Sequence, residues 1–185
     1  MGQLTRCFIA FDLPSAILAE LKHLQKIIQQ KNFFRGTYPP ATQLHLTLKF
    51  LGEIDEKKIE ETKKQLNTIR LAPFTVSFGS LGLFSPQSPH ILWIQTFGAE
   101  QLQKFIDKIL SYLFVPEHRF MGHITLARIK QLARKKALLQ FLPTPVLSQP
   151  FTIDRFYLKK SELLPRGPLY KNLEEYFLHD SPLIT

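Results

Sequence analysis

The chain has 185 residues, 44% of them hydrophobic, which is enough for one globular domain or two small lobes sharing a core and excludes an intrinsically disordered chain. Its single cysteine excludes an intramolecular disulfide and a multi-cysteine zinc site. The formal charge of +9 favours anionic partners, such as nucleic acids or phosphorylated small molecules, because a cationic surface attracts polyanions.

The first half of the chain is predicted to alternate between strands and helices. Apolar residues in short runs indicate strands, and apolar residues at helical spacing indicate amphipathic helices. Asp55 is the expected N-cap of the second helix, because its side chain can accept from a free backbone N–H. In chain order the predicted elements are a strand over 5–13, a helix over 15–31, a strand over 44–51, a helix over 55–70 and one or two strands over 74–84.

The second half repeats this order. Its predicted elements are a strand over 90–97, a helix over 99–114, a strand over 120–128, a basic helix over 131–141 and strands over 151–160 and 169–178. The repeat predicts an α+β fold with two pseudo-symmetric lobes, in which mainly antiparallel sheets flank a central cleft and helices lie outside. No flexible linker separates the halves, so we expect residues 1–185 to form a single bilobal domain.

Each half contains one strand with a histidine and a threonine at alternate positions. The two segments are His45-Leu46-Thr47-Leu48 and His123-Ile124-Thr125-Leu126. Successive side chains of a strand point to opposite faces, so each imidazole shares a face with a hydroxyl while the apolar residues face the core. One such segment is typical of an ordinary half-buried strand. Two copies at matching places in the two halves indicate a site.

Histidine and threonine suit phosphate ester chemistry. One imidazole can accept a proton while the other donates one, and threonine hydroxyls can donate hydrogen bonds to phosphate oxygens. Two His-Thr pairs facing each other would hold a phosphoryl group between a base and an acid. Strict alternation also places Lys49 on the His45 face, where it would add positive potential to the cleft.

Four segments of the chain resemble the two-histidine phosphoesterase superfamily. They cover residues 6–14, 45–53, 123–128 and 161–170, and they are most similar to the RNA 2′,3′-cyclic phosphodiesterases, historically called 2′-5′ RNA ligases. The resemblance implies an enzyme that hydrolyses RNA 2′,3′-cyclic phosphate ends to 2′-phosphates. It also implies general acid–base catalysis that needs no metal and no cofactor.

The same resemblance assigns roles to individual residues. It makes His45 the proton donor to the leaving 3′ oxygen and His123 the proton acceptor from the attacking water. Thr47, Thr125 and Arg128 would bind the phosphate. Strict alternation puts Arg128 on the face opposite His123, so this role requires a twist or a bulge in the strand.

The expected partner is RNA or an oligonucleotide that ends in a 2′,3′-cyclic phosphate. Tyr38 or Phe34 could stack on a base, since the tryptophan that many relatives carry before the first motif is absent. The apolar runs are too short to cross a membrane and no signal peptide precedes the first strand, so we expect a cytoplasmic monomer.

Three other functions remain open from the sequence. The same mechanism could act on a small cyclic nucleotide, on an ADP-ribose cyclic phosphate or on a 2′-5′ linkage. The chain could also be a non-catalytic RNA-binding module. Ligation of 2′-5′ ends could only be a reversal of the hydrolysis, because no nucleotidyl-transfer lysine motif and no glycine-rich phosphate loop is present.

Overall fold

The computed structural model of the chain describes residues 3–144, 149–165 and 167–179. Arg166 of the last predicted motif and both ends of the predicted domain 1–185 lie outside these ranges. In chain order the elements are β1 (Thr5–Asp12), α1 (Ser15–Gln30), β2 (Phe34–Thr37), a 3₁₀ turn (Ala41–Gln43), β3 (His45–Ile54), α2 (Glu56–Leu66), β4 (Phe74–Phe84), β5 (Ile91–Phe97), α3 (Glu100–Ile109), β6 (His123–Leu132), α4 (Lys135–Phe141), β7 (Phe151–Ile153), β8 (Arg155–Leu164) and β9 (Gly167–Phe177).

The strands form two antiparallel sheets, which confirms the predicted α+β fold. The first sheet has the order β3-β1-β8-β9, and the second has the order β2-β6-β5-β4-β7. Each sheet therefore draws strands from both halves of the chain. The two strands that begin with histidine, β3 and β6, belong to different sheets, and their Cα atoms approach to within 8 Å.

The helices form where apolar residues recur at helical spacing. The buried face of α1 carries Ile17, Leu21, Leu24 and Ile28. The predicted N-cap of α2 is confirmed, because the Asp55 side chain accepts from the backbone N–H of Lys58 at 2.8 Å. No helix within the described ranges has the length and apolar character that a membrane crossing needs.

The predicted start of the basic helix at residue 131 is wrong. The strand β6 continues to Leu132, and α4 begins only at Lys135. The cause is β2, a four-residue strand that the sequence did not predict. It pairs antiparallel with β6, with Phe34 opposite Leu132 and Thr37 opposite Arg128, and this second partner extends β6 by four residues beyond the prediction.

Candidate active site

The strand β3 presents His45 and Thr47 on one face of the first sheet. Paired residues of an antiparallel ladder share a face. The pairs along the central strand β1 are Asp12 with His45, Ala10 with Thr47 and Phe8 with Phe50. Because Asp12, Ala10 and Phe8 alternate along β1, the three partners on β3 must lie on one common face. Leu46 is fully buried on the opposite face, as alternation predicted.

The strand β6 presents His123 and Thr125 in the same way on the second sheet. Their partners on β5 are Gln95 and Trp93, which are two residues apart and so share a face. The Cα atoms of β3 and β6 approach to within 8 Å of each other. The charge of His123 also acts on the His45 imidazole, so the two His-Thr pairs lie near each other in one cleft between the sheets.

A bulge follows the threonine in both strands, and on β6 it turns Arg128 into the cleft. On β6, Thr125 pairs with Trp93 and Ala127 pairs with Leu92, so Leu126 is the extra residue. Arg128 then pairs with Ile91, which shares the face of Trp93. The Arg128 side chain thus lies on the face of His123 and Thr125 and is exposed.

A glutamine from α1 supports this bulge. Gln25 is 5% exposed, and its side-chain Nε2 donates to the carbonyl oxygen of Leu126 at 2.9 Å. The same nitrogen donates to the carbonyl of Pro39 at 3.0 Å, in the segment that leads towards β3. A bulged residue lacks its ladder partner, so the Gln25 amide satisfies a carbonyl that would otherwise be buried alone.

On β3 the equivalent bulge turns Lys49 away from the cleft and towards the buried face. The extra residue is Leu48, and Lys49 pairs with Ile9 on the buried face. The prediction that Lys49 shares the His45 face is therefore wrong, because it assumed strict alternation. Lys49 is 4% exposed and forms an ion pair with Asp107 of α3. Phe50 takes the cleft position instead.

Both imidazoles are held by a backbone carbonyl two residues earlier in the chain. Nδ1 of His45 lies 2.7 Å from the carbonyl oxygen of Gln43, and Nδ1 of His123 lies 2.9 Å from that of Met121. A carbonyl oxygen can only accept, so Nδ1 carries the proton in each ring. Nε2 of each neutral imidazole is then left as the acceptor, and it becomes a donor when the ring is protonated.

Aromatic rings pack against each imidazole. They restrict the rotation of the histidines and remove water from one side of each ring. The contacts, as distances between ring centroids, are Phe8–His45 at 5.1 Å, Tyr170–His45 at 5.0 Å, Phe84–His123 at 5.0 Å and Trp93–His123 at 6.2 Å. The surroundings of the two histidines are thus similar in kind, as the repeat in the sequence suggested.

Burial lowers the pKa of both histidines and so favours their neutral form in the ligand-free protein. It lowers the pKa of His45 from 6.5 to about 4, and the hydrogen bond to Gln43 offsets only part of this. The charges of Lys159 and His123 lower the pKa of His45 further, while Asp12 raises it. Burial also lowers the pKa of His123, against the hydrogen bond to Met121.

The geometry and the comparisons with known proteins agree on the family. The family described as LigT-like phosphoesterase matches residues 11–93 and 97–170, which is most of the chain. The chain belongs to this family. It is 30% identical over 179 residues to the RNA 2′,3′-cyclic phosphodiesterase of Archaeoglobus fulgidus, covering 92% of this chain and 99% of the relative. It is 33% identical over 180 residues to the enzyme of the same name from Thermotoga maritima, covering 92% and 94%.

Solved structures of LigT-like proteins share the fold. The crystal structure of TT0787 of Thermus thermophilus superposes with a TM-score of 0.82 at 27% identity, covering 96% of this chain and 100% of that one. The crystal structure of Escherichia coli LigT in its apo form gives a TM-score of 0.80 at 25% identity, covering 96% and 99%. The predicted resemblance to two-histidine phosphoesterases is therefore confirmed.

One ionic group at this LigT-like cleft, formed by Lys159, Asp12 and Asn172, was not predicted from the sequence. Lys159 of β8 lies opposite Phe8 in the ladder and so shares the His45 face. Its Nζ lies 2.7 Å from Asp12 Oδ1 and donates to Asn172 Oδ1 at 2.7 Å. The pairing of β8 with β1 joins the two ends of the chain, and no local pattern in the sequence reveals it.

Phe34 is not available as a stacking surface for a base. It is 8% exposed, and its ring stacks on Tyr38 at 5.8 Å between centroids. Tyr38 is half-buried against it.

Within the described ranges, no group of three His, Cys, Asp or Glu side chains is placed as the ligands of a metal ion would be.

Proposed function

We propose that the chain hydrolyses RNA 2′,3′-cyclic phosphate ends by general acid–base catalysis with His45 and His123. The observation that carries this proposal is the matched pair of imidazoles, each with Nδ1 fixed by a carbonyl and each accompanied by a threonine across one cleft. The names of the relatives from Archaeoglobus fulgidus and Thermotoga maritima support the substrate. Matched histidines suit a reaction that removes a proton on one side of a phosphorus atom and adds one on the other.

The proposed reaction begins with the cyclic phosphate bound between the histidines. Neutral His123 accepts a proton from water through Nε2, and the water oxygen forms a bond to phosphorus. The bond from phosphorus to the 3′ oxygen breaks, and protonated His45 gives its proton to that oxygen. The product is a 2′-phosphate with a free 3′ hydroxyl. A 5′-hydroxyl in place of water would give a 2′-5′ linkage by the same steps.

Three further groups stabilise the phosphate in this proposal. The hydroxyls of Thr47 and Thr125 donate to its non-bridging oxygens, and the guanidinium of Arg128 balances the developing negative charge. The bulge at Leu126 is what brings Arg128 to the same face as Thr125. The bound anion also raises the pKa of the nearby imidazoles, so one of them can hold the proton that the acid step requires.

The pH dependence of the reaction follows from the lowered pKa values. The free enzyme must carry one proton on the pair of histidines, and this state is most populated between the two pKa values. Both pKa values lie below 6.5, so we expect the maximum of kcat/KM below pH 6.5. The maximum of kcat should lie at higher pH, because the bound phosphate raises the pKa values. Initial rates measured from pH 4 to 9 test this, and a maximum of kcat/KM above pH 6.5 would contradict it.

A basic edge of the cleft supports an oligonucleotide as substrate. Thr37 of β2 pairs with Arg128, and Arg35 lies two residues further along the same face of β2. The side chains of Arg35 and Arg128 are both exposed. A second cationic residue beside the phosphate site suits the backbone of a chain that continues beyond its last nucleotide.

Arg35→Ala should therefore weaken binding of an oligonucleotide but not of a nucleoside 2′,3′-cyclic monophosphate. We expect KM for the oligonucleotide to rise, and the slope of log KM against log salt to fall by about 0.7, which is one phosphate contact on a single strand. The matched control is Lys57→Ala, which removes the same charge from an exposed position on α2. Equal effects on both substrates would indicate a small cyclic nucleotide as the natural substrate.

The experiment that tests the proposed function is incubation with an oligonucleotide that bears a 2′,3′-cyclic phosphate, in the presence of a chelator. Opening of the ring is the expected result. Activity that disappears with the chelator would refute the metal-free mechanism. Faster turnover of an ADP-ribose cyclic phosphate or of an internal 2′-5′ linkage would refute the substrate.

A further inference from the structure

The side chain of Lys159 lies along the cleft face of the first sheet, and the proposed reaction does not use it. Lys159 is 6% exposed and pairs with Phe8 in the ladder. Its Nζ nevertheless reaches Asp12, which lies further along β1 and pairs with His45. Between Phe8 and Asp12 on this face lies only Ala10, whose single methyl group leaves room for the lysine side chain. The lysine thus brings a buried cation beside the imidazole that the proposed reaction uses as the acid.

Hydrogen bonds to two partners occupy the ammonium of Lys159. Nζ lies 2.7 Å from Asp12 Oδ1 and 2.9 Å from Oδ2, and it donates to Asn172 Oδ1 at 2.7 Å. An ammonium group has three N–H donors, so these three acceptors leave none for a substrate. The ring of Tyr157 lies 5.0 Å from Nζ and covers another side of it. Lys159 therefore acts on the cleft through its charge, without touching the substrate.

The two charges nearest to His45 on its own sheet differ in how far water screens them. The side chain of Asp12 is 46% exposed, whereas that of Lys159 is 7% exposed. Water weakens the field of the carboxylate more than that of the ammonium. Lys159 accordingly lowers the pKa of His45 by more than Asp12 raises it. The other titratable groups that face His45 are the ring of Tyr170 from β9 and His123 from β6.

We propose that Lys159 is a positioning residue whose buried charge disfavours the protonated His45 imidazole and so promotes transfer of its proton to the leaving 3′ oxygen. This inference rests on the proposed function, because it takes His45 as the proton donor. The bound phosphate supplies the opposite charge, so His45 takes up its proton when the substrate is present. The nearby ammonium then favours release of that proton as the bond to phosphorus breaks. Asp12 and Asn172 hold the ammonium in place.

The test follows the pKa of His45 directly, by NMR titration of its imidazole in the full chain without substrate. Lys159→Met removes the charge and keeps an unbranched side chain, Lys159→Arg keeps the charge, and Asp12→Asn removes the opposing charge. The matched control is Lys160→Met, which removes a cation from the opposite face of β8, where it pairs with Glu162. Because Asp12 is half exposed, Lys159→Met leaves no buried charge unpaired, and circular dichroism checks that the fold is intact.

Lys159→Met should raise the pKa of His45 by about one pH unit, the size expected for losing one nearby charge. Asp12→Asn should lower this pKa, whereas Lys159→Arg and Lys160→Met should leave it unchanged. A purely structural role would not give shifts of opposite sign for Lys159→Met and Asp12→Asn. With an oligonucleotide 2′,3′-cyclic phosphate, the pH of maximal kcat/KM should move in the same direction as the pKa in each variant.

Two results would overturn the role of Lys159. One is an unchanged pKa of His45 in Lys159→Met, and the other is a shift of the same sign in Lys159→Met and Asp12→Asn. A shifted pKa with an unmoved pH of maximal kcat/KM would show that the charge does not act on the proton that is transferred. If the pKa shifts as expected but the wild type does not open the cyclic phosphate, the proposed function fails, and the catalytic use of this charge fails with it.

Discussion

Alanine in place of either His45 or His123 is expected to lower kcat by about 10²- to 10⁴-fold. Each substitution removes one of the two imidazoles that flank the proposed phosphate site, while the Gln43 and Met121 carbonyls that held the rings remain in place. Initial rates on an oligonucleotide 2′,3′-cyclic phosphate measure the loss. The matched control is His23→Ala, which removes an exposed histidine from α1.

A substrate with a better leaving group distinguishes the proton donor His45 from the proton acceptor His123. A substrate with sulfur in place of the 3′ oxygen needs little help from an acid, because a thiolate leaves without protonation. His45→Ala should therefore recover most of its activity on this substrate, and His123→Ala should not. Recovery by His123→Ala instead would exchange the donor and the acceptor. Activity retained by either variant on the normal substrate would refute acid–base catalysis by the pair.

Loss of the buried Lys49 ammonium should have the second large effect, on stability. Lys49→Met is expected to lower the free energy of unfolding by about 3–5 kcal/mol, because it leaves the buried Asp107 carboxylate without its counter-ion. Lys49 Nζ also donates to the carbonyl of Val115 at 2.8 Å, and Asp107 accepts from the backbone N–H of Glu117 at 2.9 Å. The pair thus joins β3 to α3 and to the segment after it.

Urea denaturation measures this effect. Lys57→Met is the matched control, since an exposed lysine on α2 should change the free energy of unfolding by less than about 0.5 kcal/mol. The double variant Lys49→Met/Asp107→Asn should lose less stability than Lys49→Met alone, because asparagine leaves no unpaired charge. A Lys49→Met variant as stable as the control would show that the pair contributes nothing, and that Asp107 finds another partner.

The His-x-Thr strands could be predicted from the sequence because alternation in a strand is local. The same rule failed three residues further on. Strict alternation put Lys49 on the face of His45 and Arg128 on the face opposite His123. The bulges at Leu48 and Leu126 move each of these residues to the other face. A bulge depends on the register with a neighbouring strand. The residues opposite, Trp93 and Leu92, are remote in sequence from Thr125 and Ala127.

The strand β2 was missed for a related reason. Four residues that include a glycine give no strand signal, and the strand exists because it pairs with β6. Gly36 is required there, because a Cβ at this position would lie 2.3 Å from the carbonyl oxygen of Arg128. In the sequence, this glycine was the sign that another backbone segment lies close to it. The ion pair of Lys49 with Asp107 and the contact of Lys159 with Asp12 likewise join residues far apart in the chain.

The product isomer is the most direct test of the proposed reaction. Phosphorus NMR of an oligonucleotide 2′,3′-cyclic phosphate incubated with the wild-type protein and a chelator shows which ester bond breaks. A single 2′-phosphate product, formed by the wild type and not by His45→Ala or His123→Ala, is the predicted result. A 3′-phosphate, a mixture of both isomers, or an unchanged cyclic phosphate would contradict it.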